Sequence, residues 1–116
     1  STTGYTKVSE CRNGVVNTFY VHPAEHGISC ADMAELKGGS AEANAAIARS
    51  VLSGEKGAPR DFVVLNAGAA LLVAGRVKNL RDGITRAGEA LDSGSASRKL
   101  EKMAQFSHQS IEGQVR

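Results

Sequence analysis

Asn13-Gly14 stands between two β-rich runs, Tyr5 to Arg12 and Val15 to Val21. Both residues accept the positive φ that a two-residue type I′ turn requires, so the segment predicts a tight β-hairpin. Such a turn also sets the register: Glu10 opposite Asn17, Val8 opposite Phe19, Thr6 opposite Val21. Val8, Phe19 and Val21 then share one face, and Lys7, Ser9, Thr18 and Tyr20 the other. A two-stranded hairpin is marginal in water. Any fold open to this chain must therefore find cover for that apolar face.

Beyond the hairpin the chain reads as helix. Between His22 and Gly39 the pattern breaks at Pro23, Gly27 and Gly38-Gly39, with one short helical turn possible within Cys30 to Leu36. A connection this long is expected to pack against something. Ser40 can cap a helix over 40–53 that Gly54 stops, with Ala43, Ile47 and Val51 on one stripe beside Ala48 and Leu52. Pro59 suits a first helical position and opens a helix over 59–74. That helix is apolar on nearly every side except at Asn66, so burial all round is expected. Asn79-Leu80-Arg81-Asp82 resembles a capping box for a helix over 79–93, with Ile84, Ala87 and Leu91 inward. Ser95 is placed as the cap of a fourth, 95–106, striped by Ala96, Leu100, Met103 and Ala104. The polar residues 107–116 read as a tail that frays.

Composition removes several functions. The 116 residues carry a formal net charge of only +2, which gives no electrostatic reason to expect nucleic acid or an anionic membrane as a partner. The longest apolar stretch, Ala67 to Gly75, is too short to span a bilayer. No basic region followed by an apolar run opens the chain as a signal peptide would. Cys11 and Cys30 make no disulfide scaffold and are read as free thiols of a cytoplasmic protein. Ala (17) and Gly (13) supply 30 of the residues, which suits helices packed closely together.

Candidate chemistry is sparse. His22 and His26 lie four apart, but Pro23 interrupts a helix start there and no third ligand is evident, so a surface loop is the better reading than a metal site. Lys37-Gly38-Gly39-Ser40 leads into a helix N-terminus that could cradle phosphate, or be an ordinary cap. Asp61 is expected to complement the start of its helix and Arg60 to bridge to a neighbour. Asn66 must find a hydrogen bond, most simply as a core amide fixing the packing register. His108 falls in the tail. No nucleophile sits beside a base in the local sequence.

A resemblance sharpens this. Gly38-Gly39-Ser40-Ala41-Glu42-Ala43-Asn44-Ala45 and Val51-Leu52-Ser53-Gly54-Glu55-Lys56-Gly57-Ala58-Pro59-Arg60-Asp61 are followed by Val63-Val64-Leu65-Asn66-Ala67-Gly68-Ala69-Ala70-Leu71 and by Ala90-Leu91-Asp92-Ser93-Gly94. In that order and spacing they resemble the C-terminal part of the anthranilate phosphoribosyltransferase family. Thr6-x-Val8-x-Glu10, the Gly14 turn and Tyr20-x-x-Pro23-x-x-x-Gly27 resemble the stretch before it. The similarity covers Thr6 to Met103.

The resemblance implies an α/β fold: a hairpin over 5–12 and 15–21 and four helices, forming part of a domain of the nucleoside phosphorylase/phosphoribosyltransferase C-terminal type. Residues 1–106 would be the C-terminal part of a glycosyltransferase α/β domain. The implied activity is transfer of a phosphoribosyl group from phosphoribosyl pyrophosphate to anthranilate in tryptophan biosynthesis. Mg²⁺ would assist departure of pyrophosphate, and the intact enzyme would be a homodimer. The family's glycine-rich phosphate loop, its Lys-His-Gly-Asn-type motif and its acidic metal pair align upstream of Ser1. No catalytic, cofactor-binding or metal residue is therefore expected within the chain, and Gly38-Gly39 aligns with a structural stretch. A start without Met, a few residues before a strand, fits the same expectation of a segment needing its N-terminal portion or self-association. The alternatives are a stand-alone anion-binding module and a non-catalytic interaction domain.

Overall fold

The computed structural model describes residues 1–109. Strands β1 (Thr6–Arg12) and β2 (Val15–Val21) pair antiparallel with Val8 opposite Phe19 and Glu10 opposite Asn17. Asn13 and Gly14 both take positive φ, 51° and 78°. The turn thus sets the expected register, and Ser9 and Thr18 face one another with hydroxyls 3.0 Å apart. A 3₁₀ turn at Pro23–His26 and a short helix α1 (Met33–Leu36) follow. The larger helices are α2 (Ala41–Leu52), α3 (Ala58–Val73), α4 (Leu80–Asp92) and α5 (Ser95–Ser107). Each lies within two residues of its expected bounds. His108 and Gln109 follow α5, and the remainder of the expected tail lies outside the described residues.

The core sits where α3 and α4 cross. Val64 and Leu65 meet Ala87 and Leu91, with Val51 from α2 and Ile28 from the connection completing the cluster. Two glycines permit the crossing. A Cβ on Gly83 would stand 2.4 Å from the Gly68 carbonyl oxygen, and one on Gly68 would stand 2.7 Å from the Ile84 nitrogen. Only hydrogen fits at either position. The connection does pack, as expected: Pro23 and Ile28 are buried, and Arg81 donates to the Glu25 carbonyl oxygen at 2.8 Å.

Several expectations need correction. α3 is buried on one face only: Phe62 (40%), Val63 (39%) and Val73 (89%) are exposed. Asn66 lies on that open side and donates to the carbonyl oxygen of Phe62 at 2.9 Å, so its partner is in its own helix and not in the core. Of the α2 stripe, Val51 is buried and Ile47 exposed; Leu100 and Met103 of α5 are exposed as well. Ser95 does not cap α5. The link from α4 is only Ser93-Gly94, and Gly94 makes the turn at φ 79°. The Ser95 hydroxyl instead donates to the Ala90 carbonyl oxygen at 3.2 Å.

Uncovered apolar faces show in the dimensions. The radius of gyration is 16.8 Å, against about 13 Å for a self-contained domain of this length. The accessible surface is 8449 Å², where a globular 12.1 kDa chain would expose about 6000 Å².

Candidate functional site

Three polar clusters among the described residues concern the candidate residues. The first is the turn into α2. Ser40 caps the helix by accepting from the Ala43 N–H at 3.1 Å. Asn44, one turn on, folds its amide back onto Gly39: Oδ1 accepts from the Gly39 N–H at 2.8 Å and Nδ2 donates to the Gly39 carbonyl oxygen at 3.2 Å. The amide copies a paired backbone strand, and a Cβ on Gly38, 2.6 Å from Asn44 Oδ1, would push the Asn44 side chain out of these bonds. The Gly39 and Ala43 N–H groups are thus already bonded within the chain, and Glu42 adds negative charge in the same turn. The geometry is that of a braced turn.

A second cluster joins the start of α3 to the end of α4. Arg60, with only 9% of its side chain exposed, makes two parallel bonds to Asp92, Nη1 to Oδ1 at 2.8 Å and Nη2 to Oδ2 at 3.1 Å. It also donates to the Gly54 carbonyl oxygen at 3.3 Å, and Lys56 lies 3.8 Å from Asp92. This fork-to-carboxylate pairing is the strong form of ion pair. The Arg60 hydrogen bond holds the Asp92 carboxyl below the usual carboxylate range, against a smaller opposing effect of desolvation. Asp61 goes the other way: burial raises its pKa, and Arg60 and Lys56 only partly offset this. Arg60 therefore bridges to a neighbour as expected. Its partner, 32 residues away, carries no local signature.

The third cluster surrounds the 3₁₀ turn. His22 caps it, Nδ1 accepting from the Ala24 N–H at 3.2 Å, while Glu25 accepts from the His22 N–H at 3.3 Å. Pro23, read as a helix breaker, is the first residue of this turn. The His22 ring packs on Tyr5, centroids 4.5 Å apart, and its Nε2 lies 3.7 Å from Cys30 Sγ. His26 is half-buried with Nδ1 lacking a partner. Among the described residues no three His, Cys, Asp or Glu side chains converge as metal ligands. Cys11 and Cys30 are both exposed free thiols, and no helix among the described residues is long and apolar enough to cross a membrane.

Beside these lies an apolar groove of about 450 Å³ between α1, α2, α3 and α5, walled by Leu36, Ile47, Val51, Phe62 and Leu100. Its walls offer contact area and almost no polar chemistry. The first two clusters brace the turn into α2 and join α3 to α4; the third caps the 3₁₀ turn and sets His22 beside Cys30.

A hairpin feeding closely crossed helices, with the braced Gly38-Gly39 turn and the Arg60–Asp92 clasp, places the chain in a known class. The family model described as "Glycosyl transferase family, a/b domain" matches residues 1–97, and the chain belongs to that family. Within it the similarity is to anthranilate phosphoribosyltransferases. Identity is 52% over 103 residues with that of Symbiobacterium thermophilum and 46% over 108 residues with that of Rhizobium rhizogenes. These alignments cover 89% and 93% of this chain but 30% and 32% of the relatives, so the chain spans about a third of their length, matching their C-terminal part. The crystal structure of anthranilate phosphoribosyltransferase from Thermus thermophilus superposes with a TM-score of 0.80 at 39% identity, covering 90% of this chain and 31% of that one.

Proposed function

We propose that the chain is the structural C-terminal part of the α/β domain of an anthranilate phosphoribosyltransferase, and that it supports an active site whose reacting groups lie outside it. Residues 1–106 form this part and 107–116 its polar tail. The observation that carries the reading is the 52% identity over 103 residues with an anthranilate phosphoribosyltransferase. In the intact cytoplasmic enzyme the substrates are phosphoribosyl pyrophosphate and anthranilate, and the protein is a homodimer. Mg²⁺ assists there by neutralising the pyrophosphate as it leaves; its ligands belong to the other part of the enzyme.

The physical role of this chain is positioning. Transfer of a charged group depends on donors and cations held in place before reaction, and a small displacement of the scaffold is felt as lost rate. The Arg60–Asp92 clasp and the Gly68–Gly83 crossing fix α3 against α4. The uncovered side of α3 and the hairpin face offer the apolar area on which the rest of the enzyme packs. The test is direct: incubate the chain with Mg²⁺, phosphoribosyl pyrophosphate and anthranilate and follow anthranilate consumption. No turnover is expected, and sustained turnover by the chain alone overturns the reading.

A further inference from the structure

The hairpin tip carries a chemistry of its own. Asn13 and Gly14 are exposed, lie outside both strands and take φ of 51° and 78°. Apart from its chain neighbours, nothing stands within 4 Å of where a Gly14 Cβ would be, so no side chain shields the Gly14 nitrogen. The other asparagines are placed differently. Asn44, Asn66 and Asn79 have their carboxamides bonded to Gly39, Phe62 and Asp82 at helices, and Asn17 lies within β2. The residues that follow these four, Thr18, Ala45, Ala67 and Leu80, all carry a Cβ. To close a five-membered ring, the Asn13 Cβ and the Gly14 nitrogen must lie on the same side of the Asn13 Cα–C bond. A type I′ turn, with both residues left-handed, holds them apart. The ring therefore closes from an opened tip, and a two-stranded hairpin opens at low cost.

We propose that Asn13-Gly14 is a self-modification site with water as its co-reactant, and that its isoaspartyl product holds the hairpin open. The Gly14 nitrogen gives up its proton and bonds to Asn13 Cγ. The bond from Cγ to the side-chain nitrogen breaks, and that nitrogen leaves with the proton as ammonia. Water then opens the cyclic imide. Attack at the Asn13 main-chain carbonyl carbon leaves Gly14 joined through Cγ, an isoaspartyl link; attack at Cγ gives an ordinary aspartyl link. Nothing is oxidised or reduced. The isoaspartyl link runs the main chain through Cβ and adds one carbon to a turn without slack, so Val8 no longer faces Phe19. Modification needs the tip open and then keeps it open.

The test ages the full chain at mildly alkaline pH and maps its five asparagines by peptide mass spectrometry, each conversion adding about 1 Da. Asn13 should convert at least about tenfold faster than Asn44 or Asn66, whose release needs a helix to open. Phe19→Ala, which removes one cross-strand pair, should raise the Asn13 rate up to about fivefold. In the purified isoaspartyl form the cross-strand Val8–Phe19 signal should be absent from NMR spectra, whereas Asn13→Asp, which suits the same turn, should keep it. Conversion at Asn13 no faster than at Asn44 and Asn66 overturns the proposal. So does a rate unmoved by Phe19→Ala, or an isoaspartyl form that retains the Val8–Phe19 signal.

Discussion

Replacing Gly83 by Ala tests how closely α3 and α4 must approach. The new Cβ would lie 2.4 Å from the Gly68 carbonyl oxygen and 2.9 Å from its Cα. Both obstacles are backbone, so no side chain can swing aside. Ordinary contact begins at 3.4 Å, so the helices must part by 3.4 − 2.4 = 1.0 Å at this point. A gap of that size forfeits about a quarter to a half of the dispersion energy of each contact it opens. Those contacts include Val64 and Leu65 against Ala87 and Leu91, the centre of the core. Overpacking of this kind costs about 1–3 kcal/mol, and a rigid backbone obstacle places Gly83 at the upper end. Helix propensity returns about 1 kcal/mol. The net loss is about 2 kcal/mol, or roughly a 10 °C fall in Tm for a chain of this size. Thermal unfolding followed by circular dichroism at 222 nm measures it. Gly88→Ala on the same helix is the control, because its Cβ would meet only the end of the Arg60 side chain at 3.4 Å; it should leave Tm unchanged or slightly higher. A Gly83→Ala variant melting at or above the parent would refute the close crossing as the reason for glycine.

The polar clusters give three further expected outcomes. Asn44→Ala removes both bonds to Gly39 and should lower stability by about 1–2 kcal/mol in urea unfolding, whereas Asn44→Asp, which keeps the acceptor, should lose less. Asp92 has a folded pKa below its unfolded value near 3.8, so its contribution is present above pH 4 and disappears as pH falls through the lower folded pKa. Asp92→Asn should therefore lower Tm at pH 7 and flatten the decline of Tm below pH 4. Asp61 is raised by burial, so its ionised form weighs against folding above that pKa and the penalty lifts on protonation. Asp61→Asn should raise Tm at pH 7 more than at pH 3.5, and an equal change at both would count against burial as the cause.

The legible parts of the sequence were those governed by neighbours along the chain. Asn13-Gly14 determined the strand register because a two-residue turn leaves no slack, and Ser40 and Asn79 capped their helices because the N–H groups they bond lie three residues on. Ser95 misled for a related reason: the cap preference was real, but a two-residue link between α4 and α5 required a positive φ that Gly94 supplies. Contacts between distant residues left little mark. Arg60 could be read as a bridging cation, yet Asp92 was one carboxylate among many. Gly68 and Gly83 resemble any helical glycine until the crossing brings them together. Asn66 and the apolar sides of α3 show the limit most clearly, since an apolar sequence reports the wish to be covered and not what covers it. The family resemblance rested on ordered blocks that composition would never reveal.

Exchange between relatives decides whether this chain is the interchangeable scaffold of a phosphoribosyl-transferring domain. Residues 6–103 would replace the matching segment of the Symbiobacterium thermophilum anthranilate phosphoribosyltransferase, and kcat for anthranilate consumption would be measured for chimera and parent. A scaffold role predicts a folded chimera with kcat within about tenfold of the parent, a difference of about 1.4 kcal/mol in barrier. A chimera with the parent's helical content and thermal cooperativity but no turnover would contradict it.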